Sequence, residues 1–163
     1  MLAGSGAHAR IPARVTASRI LLPTDFGESD GDALALAARL APAAGAELLV
    51  MHVVEDPAEQ VYGEKSGEGK DRAAWALWKH AKGDIEARLT ALVAEKLPGL
   101  SRVRPLCAFG DPAARIVETA KSEAVDLVVL SGRRKSSLLQ GMHLGNVAYR
   151  VVRMAPCDVL LVR

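Results

Sequence analysis

Five short apolar runs, set apart by stretches with helical spacing, constrain this chain more than any other feature it has. They are Arg19 to Pro23, Glu47 to Val54, Arg102 to Ala108, Asp126 to Ser131 and Cys157 to Val162. Each is rich in Leu, Val or Ile, and each has the length of a buried strand rather than of a helix. In the third run Pro105 removes a ladder donor, which predicts the edge of a sheet.

The intervening stretches carry helical periodicity. Leu36 and Leu40 stand four apart with Ala33, Ala37, Ala41 and Ala44 beside them, so the first helix has a small-residue face and ends at Gly45. Pro42 is expected to shorten or kink its last turn. In the second helix Trp75, Trp78, Ile85, Leu89, Leu92 and Val93 share one side, while Lys79, Lys82, Glu86 and Glu95 face away; the tryptophans read as core. The third helix opens at Asp111 as N-cap with Pro112 behind it. The last runs from Asn146 to Met154 and stops before Pro156.

Strand and helix in alternation define an α/β domain, an open, mainly parallel five-stranded sheet with helices on both faces. One domain spans 19–163, and residues 1–18 read as a frayed extension, although their arginines without acids also fit an organelle-targeting peptide. Half of the 163 residues are apolar and only 4% aromatic, which favours helices on a short sheet over a β-sandwich. The net charge of +2 argues against nucleic acid or an anionic membrane as partner. With no apolar run long enough to span a bilayer, a cytoplasmic protein is expected. Cys107 and Cys157 lack metal-ligand neighbours and read as reduced, small hydrophobes.

In such a sheet ligands sit outside the carboxyl ends of the strands, where strand order reverses. Thr24 and Asp25 follow the first strand. The fourth leads into Ser131 to Asn146, where Gly145 precedes a helix with Asn146 as its N-cap candidate. Backbone amides at that helix start suit a phosphate. Spacing alone leaves the alternative equally open, that Gly132 and Gly145 are ordinary turn glycines. The polar segment from Glu55 to Lys70 is either a cover for a ligand or a connection. His52 reads as a packed or hydrogen-bonded histidine, and His143 as a lone loop histidine. Glu55 and Asp56 read as solvated acids rather than metal ligands.

The ordered set of motifs resembles the universal stress protein family. "RILLPTDFGES" and "GAELLVMHVVED" are similar to its opening, "FGDPAARIVETAKSEAVDLVVLSG" to its entry into the third helix and fourth strand, and "LGNVAYRVVRMAPCDVLLVR" to its ending. The resemblance implies a Rossmann-like sheet of order 3-2-1-4-5 and, as in many members, a site for an adenine nucleotide: ATP first, AMP or ADP next, with Mg²⁺ accompanying it. The implied contacts are Pro23, Thr24, Asp25 and Val53, then Ser131, Gly132, Lys135, Gly145, Asn146 and Val147.

Two positions depart from the family's phosphate loop, which reads Gly, two residues, Gly, nine residues, Gly and then Ser or Thr. Lys135 replaces the second glycine and Asn146 the hydroxyl residue. Lysine adopts a positive φ only at a cost on the order of 1 kcal/mol. Arg133, Arg134 and Lys135 nonetheless bring three cations to a place where polyphosphate would sit. The resemblance further implies a homodimer paired through the last strand, and, in members without nucleotide, action through protein partners. No base stands at convincing spacing for catalysis, so at most slow ATP hydrolysis is expected.

Overall fold

The computed structural model describes residues 17–28, 30–55, 72–132 and 145–162, with the helical side chains of 72–81 excepted. The elements follow the predicted alternation: β1 (Arg19–Pro23), α1 (Asp30–Ala44), β2 (Glu47–Val54), α2 (Arg72–Lys96), β3 (Val103–Phe109), α3 (Pro112–Ser122), β4 (Leu127–Ser131), α4 (Asn146–Met154) and β5 (Asp158–Val162). All pairings are parallel, in the order β3-β2-β1-β4-β5. β3, with Pro105, is an edge strand, as its missing donor requires.

The period of two along each strand divides the core into two layers. Ile20, Leu22, Leu48, Val50 and Val129 meet Ala33, Leu34, Ala37 and Ala41 of α1 and Leu89 of α2 on one face. Leu21, Leu49, Met51, Val128 and Leu130 meet Ala113, Ile116 and Ala120 of α3 and Val151 of α4 on the other. In α1 it is Leu34 that is buried, beside the alanines, while Leu36 is half-buried. In α2 the expected face is seen at Leu89, fully buried, with Ile85, Leu92 and Val93 packed beside it, and Lys82, Glu86 and Glu95 are exposed. Trp75, Trp78 and Lys79 lie outside the described side chains.

Pro42 does not shorten α1, which continues to Ala44. Two bonds then close it: Ala46 N–H donates to Ala41 O at 2.8 Å and Gly45 N–H to Pro42 O at 3.2 Å. This is the Schellman pattern, and Gly45 adopts the φ of +70° that it needs. The helix therefore uses the proline's carbonyl, and the missing proline N–H costs one interior bond without ending the helix.

The β1–β4 pairing is short. Its register joins Ile20 to Leu127 and Leu21 to Val128, whereas β1 and β2 stay paired from Arg19 to Pro23. A carboxylate stands at each end of that short ladder. At the amino end Asp126 Oδ2 accepts from Ser18 N–H at 2.6 Å and Arg19 N–H at 3.0 Å. At the carboxyl end Asp30 takes the equivalent place, where the two strands part. That parting is the switch point at which α/β sheets open a crevice.

Candidate functional site

The β1–α1 turn, residues 24–27, is held at nearly every polar atom. Thr24 N–H donates to Met51 O at 2.8 Å, extending the β1–β2 ladder. Thr24 O accepts from His52 Nδ1 at 2.8 Å; since a carbonyl can only accept, Nδ1 carries the proton. His52 is thus the hydrogen-bonded strand histidine that its position predicted. Asp25 N–H donates to Asp30 Oδ2 at 2.9 Å, and Gly27 N–H to Asp25 Oδ1 at 2.8 Å.

Phe26 sits at a φ of +59°, uncommon for a bulky residue. Its N–H donates to Thr24 Oγ1 at 3.0 Å, and its ring lies 4.5 Å from the His52 ring and 4.1 Å beneath the Arg88 guanidinium. These contacts hold the unusual backbone. One result is that neighbouring side chains serve different hollows. Phe26 lines a groove of about 610 Å³ between α1 and α2, whereas Asp25 lines a cleft of about 270 Å³ at the switch point.

That cleft collects the sequence-predicted residues. Pro23, Thr24 and Asp25 come from the end of β1, Val53 from β2 and Ser131 from the end of β4. Gly145, Asn146 and Val147 close it from the start of α4. Sequence reasoning missed the apolar wall of Met51, Ile116 and Leu130, together with Ala148 and Glu55. Strand alternation could have indicated Met51, two residues before Val53 on the same face; only the tertiary fold brings Ile116.

One predicted residue stands apart, and another is not described. Gly132 is not in the cleft lining, and its N–H is committed to Val162 O at 2.6 Å, as an extension of the β4–β5 ladder. Lys135 lies outside the described residues, as do Arg133, Arg134, His143 and Asp56.

The start of α4 departs from expectation in a useful way. Asn146 is not the N-cap: Gly145 is, at φ −54° and ψ 149°, and Asn146 is the first helical residue. Glycine has no side chain with which to cap, and among the described residues no side-chain cap bond is seen. The first residues of the helix line the cleft, and a helix start carries a partial positive charge. α3 is the opposite case. There Asp111 caps as predicted, accepting from Ala114 N–H at 2.8 Å, and it also receives both arms of Arg150 at 2.7 Å each. The Arg150 guanidinium holds the Asp111 carboxyl below its usual pKa, and in doing so joins α4 to α3.

Nothing in the backbone demands glycine at 145. Its φ is open to any residue, and an added Cβ would meet no atom within 4 Å. Room beside a helix start is what a close-approaching ligand oxygen needs. Among the described residues no cluster of three or more His, Cys, Asp or Glu is placed to hold a metal ion, and no helix is long and apolar enough to cross a membrane.

Comparison with known proteins agrees with this architecture. A universal stress protein of Thermus aquaticus is 35% identical over 144 residues, covering 88% of this chain and 97% of the relative. The universal stress protein from Archaeoglobus fulgidus whose structure is in complex with dAMP superposes with a TM-score of 0.59 at 20% identity, covering 91% of this chain and 99% of that one. A universal stress protein in complex with cAMP gives 0.56 at 22%, covering 91% and 98%. Residues 16–163 match the model of the Universal stress protein family. With the sheet order, the switch-point cleft and this match over almost its whole length, the chain belongs to the universal stress protein family.

Proposed function

We propose that this protein is a stress-response regulator that holds an adenine nucleotide, ATP in first place and AMP or ADP next, across the carboxyl ends of β1, β2 and β4. The observation that carries the reading is the cleft in which Asp25, Val53, Ser131 and the start of α4 converge. Met51, Val53, Ile116 and Leu130 offer apolar walls for a purine ring. The Asp25 carboxylate, fixed by its own turn, is an acceptor for base or ribose donors. The amides of Asn146, Val147 and Ala148 form the anion end. Mg²⁺ would arrive on the phosphates, and Asp25 and Glu55 are acids of the lining. The dAMP and cAMP complexes of structurally similar family members support an adenine nucleotide as the class of ligand.

The protein is also proposed to act as a homodimer. Among the described residues β5 is an edge strand, and Tyr149, Val152 and Met154 of α4 are 49%, 47% and 52% exposed. The same exposed residues favour a second reading, in which the cleft takes no nucleotide and the surface engages protein partners. Equilibrium dialysis with labelled ATP separates the two. Saturable binding, lost in Asp25→Ala, is expected; no binding at millimolar ATP would leave the second reading.

A further inference from the structure

Asp30 was invisible as a site residue in the sequence, where it is one of two acids, with Asp32, that follow "TDFGES". In the fold it is only 8% exposed, and it opens α1 without capping it. Its carboxylate turns back to the sheet. Oδ2 accepts from Thr24 Oγ1 at 2.6 Å and from Asp25 N–H at 2.9 Å, while Oδ1 accepts from Ser131 Oγ at 2.5 Å. One buried group thus binds the turn after β1 and the end of β4, just beyond the point where their ladder stops.

Each of its three partners lines the cleft, and Asp30 itself does not. Burying a carboxylate is costly unless its acceptor sites are filled, so all three donors are held strongly by the same requirement. The bonds also give the hydroxyls of Thr24 and Ser131 a fixed direction. Both donate to Asp30, and the Thr24 oxygen in turn accepts from Phe26 N–H, so the two hydroxyls are held in place. A ligand in the cleft then meets side chains of Thr24 and Ser131 and an Asp25 backbone that need no rearrangement, which lowers the ordering cost of binding.

We infer that Asp30 is a positioning residue for the cleft, fixing Thr24, Asp25 and Ser131 across the gap between β1 and β4 without touching the ligand. The inference rests on the nucleotide reading above. Asparagine is the informative replacement. Its oxygen can accept from Thr24 and Asp25, and its amide can donate to Ser131, whose hydroxyl rotates to accept. Alanine can replace none of these bonds.

The test measures the Kd for ATP by titration calorimetry in the wild type, Asp30→Asn and Asp30→Ala, each kept well below its own melting temperature. Expected is a rise on the order of tenfold in Asp30→Ala, the scale at which loss of an orienting group is felt, and recovery to within about threefold of wild type in Asp30→Asn. Should Asp30→Ala not fold, Asp30→Ser takes its place, because its hydroxyl is too short to reach both strands. A folded Asp30→Ala with wild-type Kd and only a lowered Tm would assign Asp30 a purely structural role and overturn the inference. So would an Asp30→Asn that loses as much affinity as alanine. If the wild type itself takes up no ATP, it is the nucleotide reading that fails, and the inference fails with it.

Discussion

Gly27→Ala gives a sharp prediction because its consequence can be worked from one distance. The Gly27 N–H donates to Asp25 Oδ1 at 2.8 Å, and this fold of the carboxylate over its own turn leaves no space for a side chain. A Cβ at 27 would stand 2.6 Å from Asp25 Oδ1 and 3.4 Å from Cγ. Ordinary carbon to oxygen contact begins at about 3.3 Å, so the carboxylate must retreat by roughly 0.7 Å or rotate away. The obstructing atom is the tip of an exposed side chain, so the fold yields cheaply. The loss is one hydrogen bond to a charged acceptor with water at hand, about 1 kcal/mol, and a fall in Tm of roughly 2–4 °C in a chain of this size. Ligand affinity should suffer more, because Asp25 is the group displaced. A Kd for ATP raised on the order of tenfold is expected from misplacing a contact group by this distance. Calorimetric titration beside a thermal melt reads both quantities. An alanine variant with unchanged Tm and unchanged Kd would refute the argument that Asp25 acts in the orientation its turn imposes.

Other outcomes follow from the same structure. Leu89→Ala empties a fully buried position between α2 and the sheet and should destabilise by about 2–5 kcal/mol in urea unfolding, with ATP affinity of the folded protein retained. Asp111→Asn keeps the α3 cap but removes the charge paired with Arg150. Because the Asp111 pKa is depressed in the fold, its contribution to stability is present above the unfolded value near 3.8 and is lost as pH falls through the lower folded value. Wild type should therefore lose more stability than Asp111→Asn between pH 4 and pH 2, as followed by circular dichroism. ATP at about a hundred times its Kd should stabilise the protein by about 2.7 kcal/mol, raising Tm by several degrees, and Asp25→Ala should abolish the shift.

The sheet was legible because parallel strands, buried on both faces, must read as continuous apolar runs. β1 and β2 were placed to the residue for that reason, and β4 and β5 each began one residue late, at Leu127 and Asp158. The ends of strands also announced the cleft, since Thr24, Asp25 and Ser131 are polar residues where apolar runs stop. What sequence could not supply was direction. Asn146 has the chemistry of an N-cap, but one more residue of helix leaves that place to Gly145. Gly132 has the chemistry of a phosphate loop, yet its amide completes the ladder to Val162. Asp30 looks like any acid at a helix start, and only the parting of β1 from β4 gives its carboxylate three donors to satisfy. In each case the local composition allowed two uses, and long-range hydrogen bonding chose between them.

Whether an adenine nucleotide sits at the switch point is decided by photolabelling with an azido-adenine analogue of ATP and mapping the modified peptides by mass spectrometry. Expected is saturable labelling, competed by ATP and confined to peptides that carry the β1–α1 turn, the end of β2 or the start of α4. Labelling that ATP does not compete, or that falls on the groove between α1 and α2, would contradict that placement.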